Sequence, residues 1–205
     1  ILGGAALYTV RLYMDFSGGM DAVRGLSRML GVSLPENFRR PFFAQSLADY
    51  WRRWHITLGA WFRAYLLYPL ITSRAGTALS RASVRRLGRQ VGRAVPSALA
   101  TLVVFLLIGV WHMASWNAVV YGAYFGLVMA ASLLLEPAWK AMRSALSLPR
   151  HGWMTALRLA RTWLLILPAQ YFAFTASPAQ GLSLLLGSLQ NWQFTGFSAL
   201  TNGVM

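Results

Sequence analysis

The sequence contains no cysteine, one lysine and five acidic residues among its 205 positions. Without cysteine there is no disulfide, no thiolate metal site, no cysteine nucleophile and no palmitoylated cysteine. Charged residues make up 12% of the chain, against about 25% in a soluble domain. Hydrophobic residues reach 57%, which excludes intrinsic disorder, a state that needs few large apolar side chains. What is present is equally one-sided: eighteen arginines, nine tryptophans and a formal net charge of +14. Long apolar runs bordered by arginine clusters indicate an integral membrane protein, since the hydrocarbon core needs about 20 apolar residues per helix. The chain has no initiator methionine and opens inside the apolar run Ile1–Val10, so it reads as a fragment of a longer membrane protein.

Arginine beside aromatic residues could also suit nucleic acid, with guanidinium on phosphate and rings on bases. The arrangement speaks against it. Arg74, Arg81, Arg85, Arg86, Arg89 and Arg93 crowd into one stretch, and a second basic segment runs from Lys140 through Arg143, Arg150 and Arg158 to Arg161. Between them Ala94–Leu135 carries no charge and is broken only at Ser115–Asn117. That length suffices for two membrane passes at about 1.5 Å per residue. Both basic segments then fall on one side, as cytoplasmic loops should.

Along the chain, Ile1–Met14 resembles the end of a membrane helix, and the two-glycine break Asp15–Gly19 predicts a turn or helix boundary. Asp21–Leu30 has helical periodicity and ends at Gly31 and Pro35. After the loop Ser33–Pro41, Gln45–Leu58 reads as one amphipathic helix, with Ser46 as N-cap and Asp49 in its first turn. Trp61–Leu70 is apolar but too short to span, which suggests an interfacial or re-entrant segment. Thr155–Ala176 is a third candidate span, with a kink expected at Pro168, and Gly181–Leu189 is a short apolar run. Gly122 and Gly126 have the spacing of close helix packing.

Three histidines are present. His151, beside Arg150, reads as a solvated loop residue. His112 lies in Gly109-Val110-Trp111-His112, near the end of an uncharged helix. An ionisable side chain there marks a functional site, unless a neighbouring helix simply accepts its hydrogen bond. On a continuous helix His55 would share a face with Trp51, and that face equally suits a helix anchored among lipid headgroups. Two imidazoles that stay neutral beside a hydroxyl-accepting pocket suit acyl transfer. One takes the hydroxyl proton during attack on a thioester, and the other orients it or stabilises the developing oxyanion. There is no HExxH spacing, no Walker glycine loop and no Rossmann fingerprint.

Four strings then stand in a telling order: Asp15-Phe16-Ser17-Gly18, Pro35-Glu36-Asn37-Phe38, Trp51-Arg52-Arg53-Trp54-His55-Ile56-Thr57-Leu58 and Gly109-Val110-Trp111-His112. Together they resemble the membrane-bound O-acyltransferase family, above all its bacterial branch that modifies alginate and teichoic acid. The resemblance implies an all-α, polytopic membrane fold with interfacial or re-entrant helices. It implies one partial domain over 1–205, comprising a motif region at 15–70, a hairpin carrying His112 at 94–136, and C-terminal membrane helices at 155–189. It assigns catalysis to His112 and His55, and substrate binding to Trp111, Trp54 and Asn37. It implies no resident metal or cofactor, with acetyl-CoA or another acyl thioester as donor. The implied partners are membrane lipid, a polysaccharide acceptor and periplasmic or membrane acetylation proteins, without nucleic acid, at a bacterial inner membrane crossed several times. The Arg74–Arg93 loop could also attract the phosphates of acyl-CoA. Ala64 stands where family members commonly carry an acidic residue, and Tyr171-Phe172-Ala173 where a Phe-Arg pair is frequent. Two other readings fit the residues: a non-catalytic scaffold that relays an acyl group, and a transporter whose buried histidine passes protons. The fragment by itself is expected to be inactive.

Overall fold

The structure, a computed structural model, describes residues 2–147 and 152–190. His151, Arg150 and the tail from residue 191 lie outside the described residues. Among the described residues every regular element is helical: α1 (Leu2–Met29), a 3-10 turn (Pro41–Phe43), α2 (Leu47–Arg53), α3 (Ile56–Phe62), a π-helical turn (Arg63–Leu67), α4 (Tyr68–Thr72), α5 (Arg74–His112), α6 (Trp116–Ala145), α7 (Trp153–Phe174) and α8 (Pro178–Gln190).

Three local expectations need correction. The boundary expected at Asp15–Gly19 is absent, because α1 runs through it. Interior glycines cost only about 1 kcal/mol each relative to alanine, and Arg11 pairs with Asp15 one turn later at 3.4 Å. The helix ends instead at Gly31, whose φ of +77° suits glycine. Val32 N–H there donates back to Ser27 O at 2.8 Å, closing a left-handed C-cap. The single helix expected over Gln45–Leu58 is divided between α2 and α3 at Trp54 and His55. Its start is as the sequence implies, with Ser46 Oγ accepting from Asp49 N–H at 3.0 Å. The division arises because the preceding loop competes for the backbone: Arg39 N–H donates to Arg53 O at 2.9 Å, and Ile56 N–H to Asn37 O at 3.0 Å. Finally, the basic segment 74–93 is helical rather than a loop.

Among the described residues two helices, α5 and α6, are long and apolar enough to cross a membrane, and α7, where a third span was expected, is not. α5 and α6 form the expected hairpin, and Ser115 caps α6 by accepting from Ala118 N–H at 3.2 Å. A methyl group on Gly122 would meet Phe105 O at 2.5 Å, and one on Gly126 would meet Leu102 Cα at 3.1 Å. The glycine pair therefore lets the two backbones touch, which is how helices gain dispersion energy where lipid offers no hydrophobic drive. In α7, Arg158 Nη1 donates to Gln45 Oε1 at 3.2 Å and Arg161 Nη2 to Gln45 O at 3.0 Å. Pro168 lies within α7 without ending it.

The core forms where α2 lies against α5, α6 and α7, and contains Leu47, Tyr50, Trp54, Phe105, Phe125, Ile166 and Ala169. Trp51 meets the rings of Phe105 and Phe125 edge-on, with centroids 5.2 and 5.0 Å apart. The tryptophan-rich string is thus packed inside the helices as well as suited to an interface. This all-α membrane fold places the break at His55 beside the end of α5.

Candidate active site

His55 occupies the division between α2 and α3 in a left-handed conformation, φ 46° and ψ 56°. This strained backbone turns its ring away from the helix direction and toward the preceding loop. Asn37, only 4% exposed, meets it there. Asn37 Oδ1 accepts from Thr57 Oγ1 at 2.6 Å and from Thr57 N–H at 3.3 Å, and His55 Nδ1 lies 3.1 Å from the same oxygen. An oxygen with those partners can only accept, so the proton of the neutral imidazole sits on Nδ1. Nε2 keeps its lone pair and is free to accept a proton. Phe16 packs edge-on against the ring at 4.7 Å. Burial, with a smaller contribution from nearby His112, holds the His55 imidazole below the ordinary histidine value.

His112 is the last residue of α5, and Trp111 packs beside it at 4.8 Å. Both histidines line two cavities, together with Trp51, Trp54 and Ile108. One cavity, about 450 Å³, runs along α5 from Thr101 to His112, with Arg52, Arg63 and Tyr68 in its wall. The other, about 600 Å³, opens at the hairpin tip, where Trp111, Met113, Asn117 and Tyr121 line it. The two chambers therefore meet at a pair of imidazoles.

Of the residues named from sequence, Trp54 is buried in the core and stacks on Tyr50 at 5.6 Å. Trp111 faces the larger cavity. Asn37 lines neither chamber, and its amide oxygen is engaged by His55 and Thr57. Three further residues escaped the sequence reading. Thr57 completes the Asn37 cluster. Trp51 Nε1 and Asn117 Oδ1 are buried without a hydrogen-bond partner among the described residues, although such a group costs about 1–3 kcal/mol when left unpaired. Both residues line the larger cavity. The signal for Asn117 was its place in the only polar break of the uncharged stretch.

No family model matches the chain. It is 34% identical over 166 residues to "Probable alginate O-acetylase AlgI" of Pseudomonas fluorescens, covering 80% of this chain and 28% of that protein. It is 28% identical over 158 residues to the teichoic acid D-alanyltransferase of Bacillus subtilis, covering 76% of this chain and 36% of that protein. It is 33% identical over 123 residues to the peptidoglycan O-acetyltransferase of Helicobacter pylori, covering 60% of this chain and 20% of that protein. The chain belongs to the membrane-bound O-acyltransferase family. Its matches to these three members span 20–36% of their lengths. Within this membrane-bound O-acyltransferase segment, the four strings recognised from sequence converge on one site: Phe16, Asn37, His55 and His112 all stand on or next to the cavity walls.

Proposed function

We propose that this chain carries the catalytic centre of a multi-pass inner-membrane O-acyltransferase. It moves an acetyl group from acetyl-CoA or another acyl thioester to hydroxyls of an exported, alginate-like polysaccharide. The observation that carries this reading is that His55 and His112 stand together where two cavities meet. The smaller chamber extends along α5 toward its arginine-bearing half, the side on which a cytoplasmic thioester arrives. The larger opens at the hairpin tip, on the acceptor side.

In this scheme His112 takes the proton of the acceptor hydroxyl as its oxygen attacks the thioester carbonyl. His55, held by Asn37 with Nε2 unprotonated, accepts a hydrogen bond from the acceptor and orients it. The tetrahedral intermediate expels the thiolate, which takes the proton back from His112, leaving ester and thiol. Trp111 offers an apolar wall to the sugar ring, and Trp51 and Asn117 complete the lining of the same chamber. Acetylation partners in the membrane or periplasm would receive or present the glycan.

The test is acetyl-ester analysis of secreted glycan from cells carrying the full-length protein, either wild type or His112→Ala. Loss of a general base lowers the rate about 10²–10⁴-fold, so ester content should collapse while expression and insertion persist. Wild-type ester content in a well-expressed His112→Ala strain would instead return the non-catalytic scaffold.

A further inference from the structure

The arginine-bearing half of α5 is not a simple exposed stripe. At Gly88 the helix breaks, with φ 77° and ψ 170°, values that a side chain rarely tolerates. The chain then turns back so far that a methyl group on Gly92 would meet the Cα and N of Val84 at 2.5 Å. Two helical pieces are thus pressed together, backbone on backbone, and each bears arginines one turn apart. Arg81 and Arg85 come from the first piece, and Arg89 and Arg93 from the second. With Ser80 and Val84 they line one cleft of about 710 Å³.

Like charges at this spacing repel even on an isolated helix, and the fold brings two such pairs to one place. No acidic residue compensates them. All five acids of the chain are engaged elsewhere: Asp15 with Arg11, Asp21 and Glu36 with Arg24, Asp49 with Arg52 and Arg53, and Glu136 with Lys140. The rule that places arginines on the cytoplasmic side accounts for their number, but it does not require them to converge. Guanidinium forks match phosphate oxygens in pairs.

We propose that the cleft formed by Arg81, Arg85, Arg89 and Arg93 is a binding site for a phosphate-bearing ligand. The same chemistry is offered by an anionic phospholipid headgroup and by the pyrophosphate of a nucleotide thioester. The site stands whether or not the chain transfers acyl groups, because it is separate from the histidine pair.

Binding of inorganic pyrophosphate to the purified protein in neutral detergent tests it. Two variants of equal charge are compared: Arg85→Gln/Arg89→Gln inside the cleft, and Arg74→Gln/Arg86→Gln outside its lining. All four positions are exposed, and thermal melting confirms that both variants fold. Wild type should bind saturably, the cleft variant should lose about tenfold or more in affinity, and the outside variant should stay within about twofold. Competition identifies the source. Displacement by coenzyme A assigns the cleft to a nucleotide, and displacement by phosphatidylglycerol but not phosphatidylcholine assigns it to a headgroup. Absence of saturable binding, or equal loss in the two variants, would overturn the proposal.

Discussion

At the scale of single residues, the decisive contact is the one between Asn37 and His55. It holds the imidazole proton on Nδ1 and leaves Nε2 unprotonated toward the cavities. Asn37→Ala should therefore leave insertion intact but lower transfer on the order of 10²-fold through misplacement of the ring. Nitrogen NMR of labelled histidine should show His55 passing from one tautomer to a mixture. The pH dependence follows from the lowered pKa of His55. Its neutral form persists below the ordinary value near 6.5, so the contribution of this site to the rate should fall only under more acidic conditions. Stability has the same sign: the unfolded chain binds the proton first, so the neutral-ring contribution is complete above the unfolded value and is lost as pH falls through the folded one. An acid limb above the ordinary histidine value, measured for transfer by the full-length protein, would contradict this assignment.

Among the elements, the hairpin of α5 and α6 depends on contacts between backbones. A methyl group at Gly122 would press on Phe105 O and on Leu106 Cα, neither of which can rotate away. Gly122→Ala should then destabilise the hairpin by about 1–3 kcal/mol. Gly18 offers the opposite case. It sits inside α1 with nothing near a would-be methyl group, so Gly18→Ala should stabilise by about 0.4–1 kcal/mol. Denaturant titration of helical signal in neutral detergent compares the two directly. Both glycines are visible in the sequence, yet their roles are opposite. Spacing at Gly122 and Gly126 indicated packing correctly, whereas Gly18 and Gly19 resembled a turn that α1 does not make.

For the molecule as a whole, orientation in the membrane is the consequential property. The hairpin carries arginines before α5 breaks at Gly88, and its tip lies near Ser115. With no native cysteine, single-site labelling is clean. Arg86→Cys should be shielded from an impermeant thiol reagent applied outside the cell, and Ala114→Cys should react. The reverse pattern would invert the assignment of donor and acceptor sides. It would leave the chemistry proposed for His55 and His112 unchanged, because that proposal rests on which cavities meet rather than on which way they face.

Helical content, the α5–α6 hairpin, the Ser46 cap and the place of His112 at the end of an uncharged helix were legible from sequence, because each depends on neighbours within a few turns. Hydropathy runs, serine before a helical run and small residues four apart act locally. The division at Trp54 and His55 was not legible, since the backbone there is drawn out by Asn37, 18 residues from His55. Nor was the arginine cleft, where a left-handed glycine turns two pieces of α5 against each other. Sequence alone determined which groups would be charged, apolar or neutral. Only the tertiary structure decided which of them meet, because hydrogen bonds and close backbone contacts between distant segments are chosen by packing.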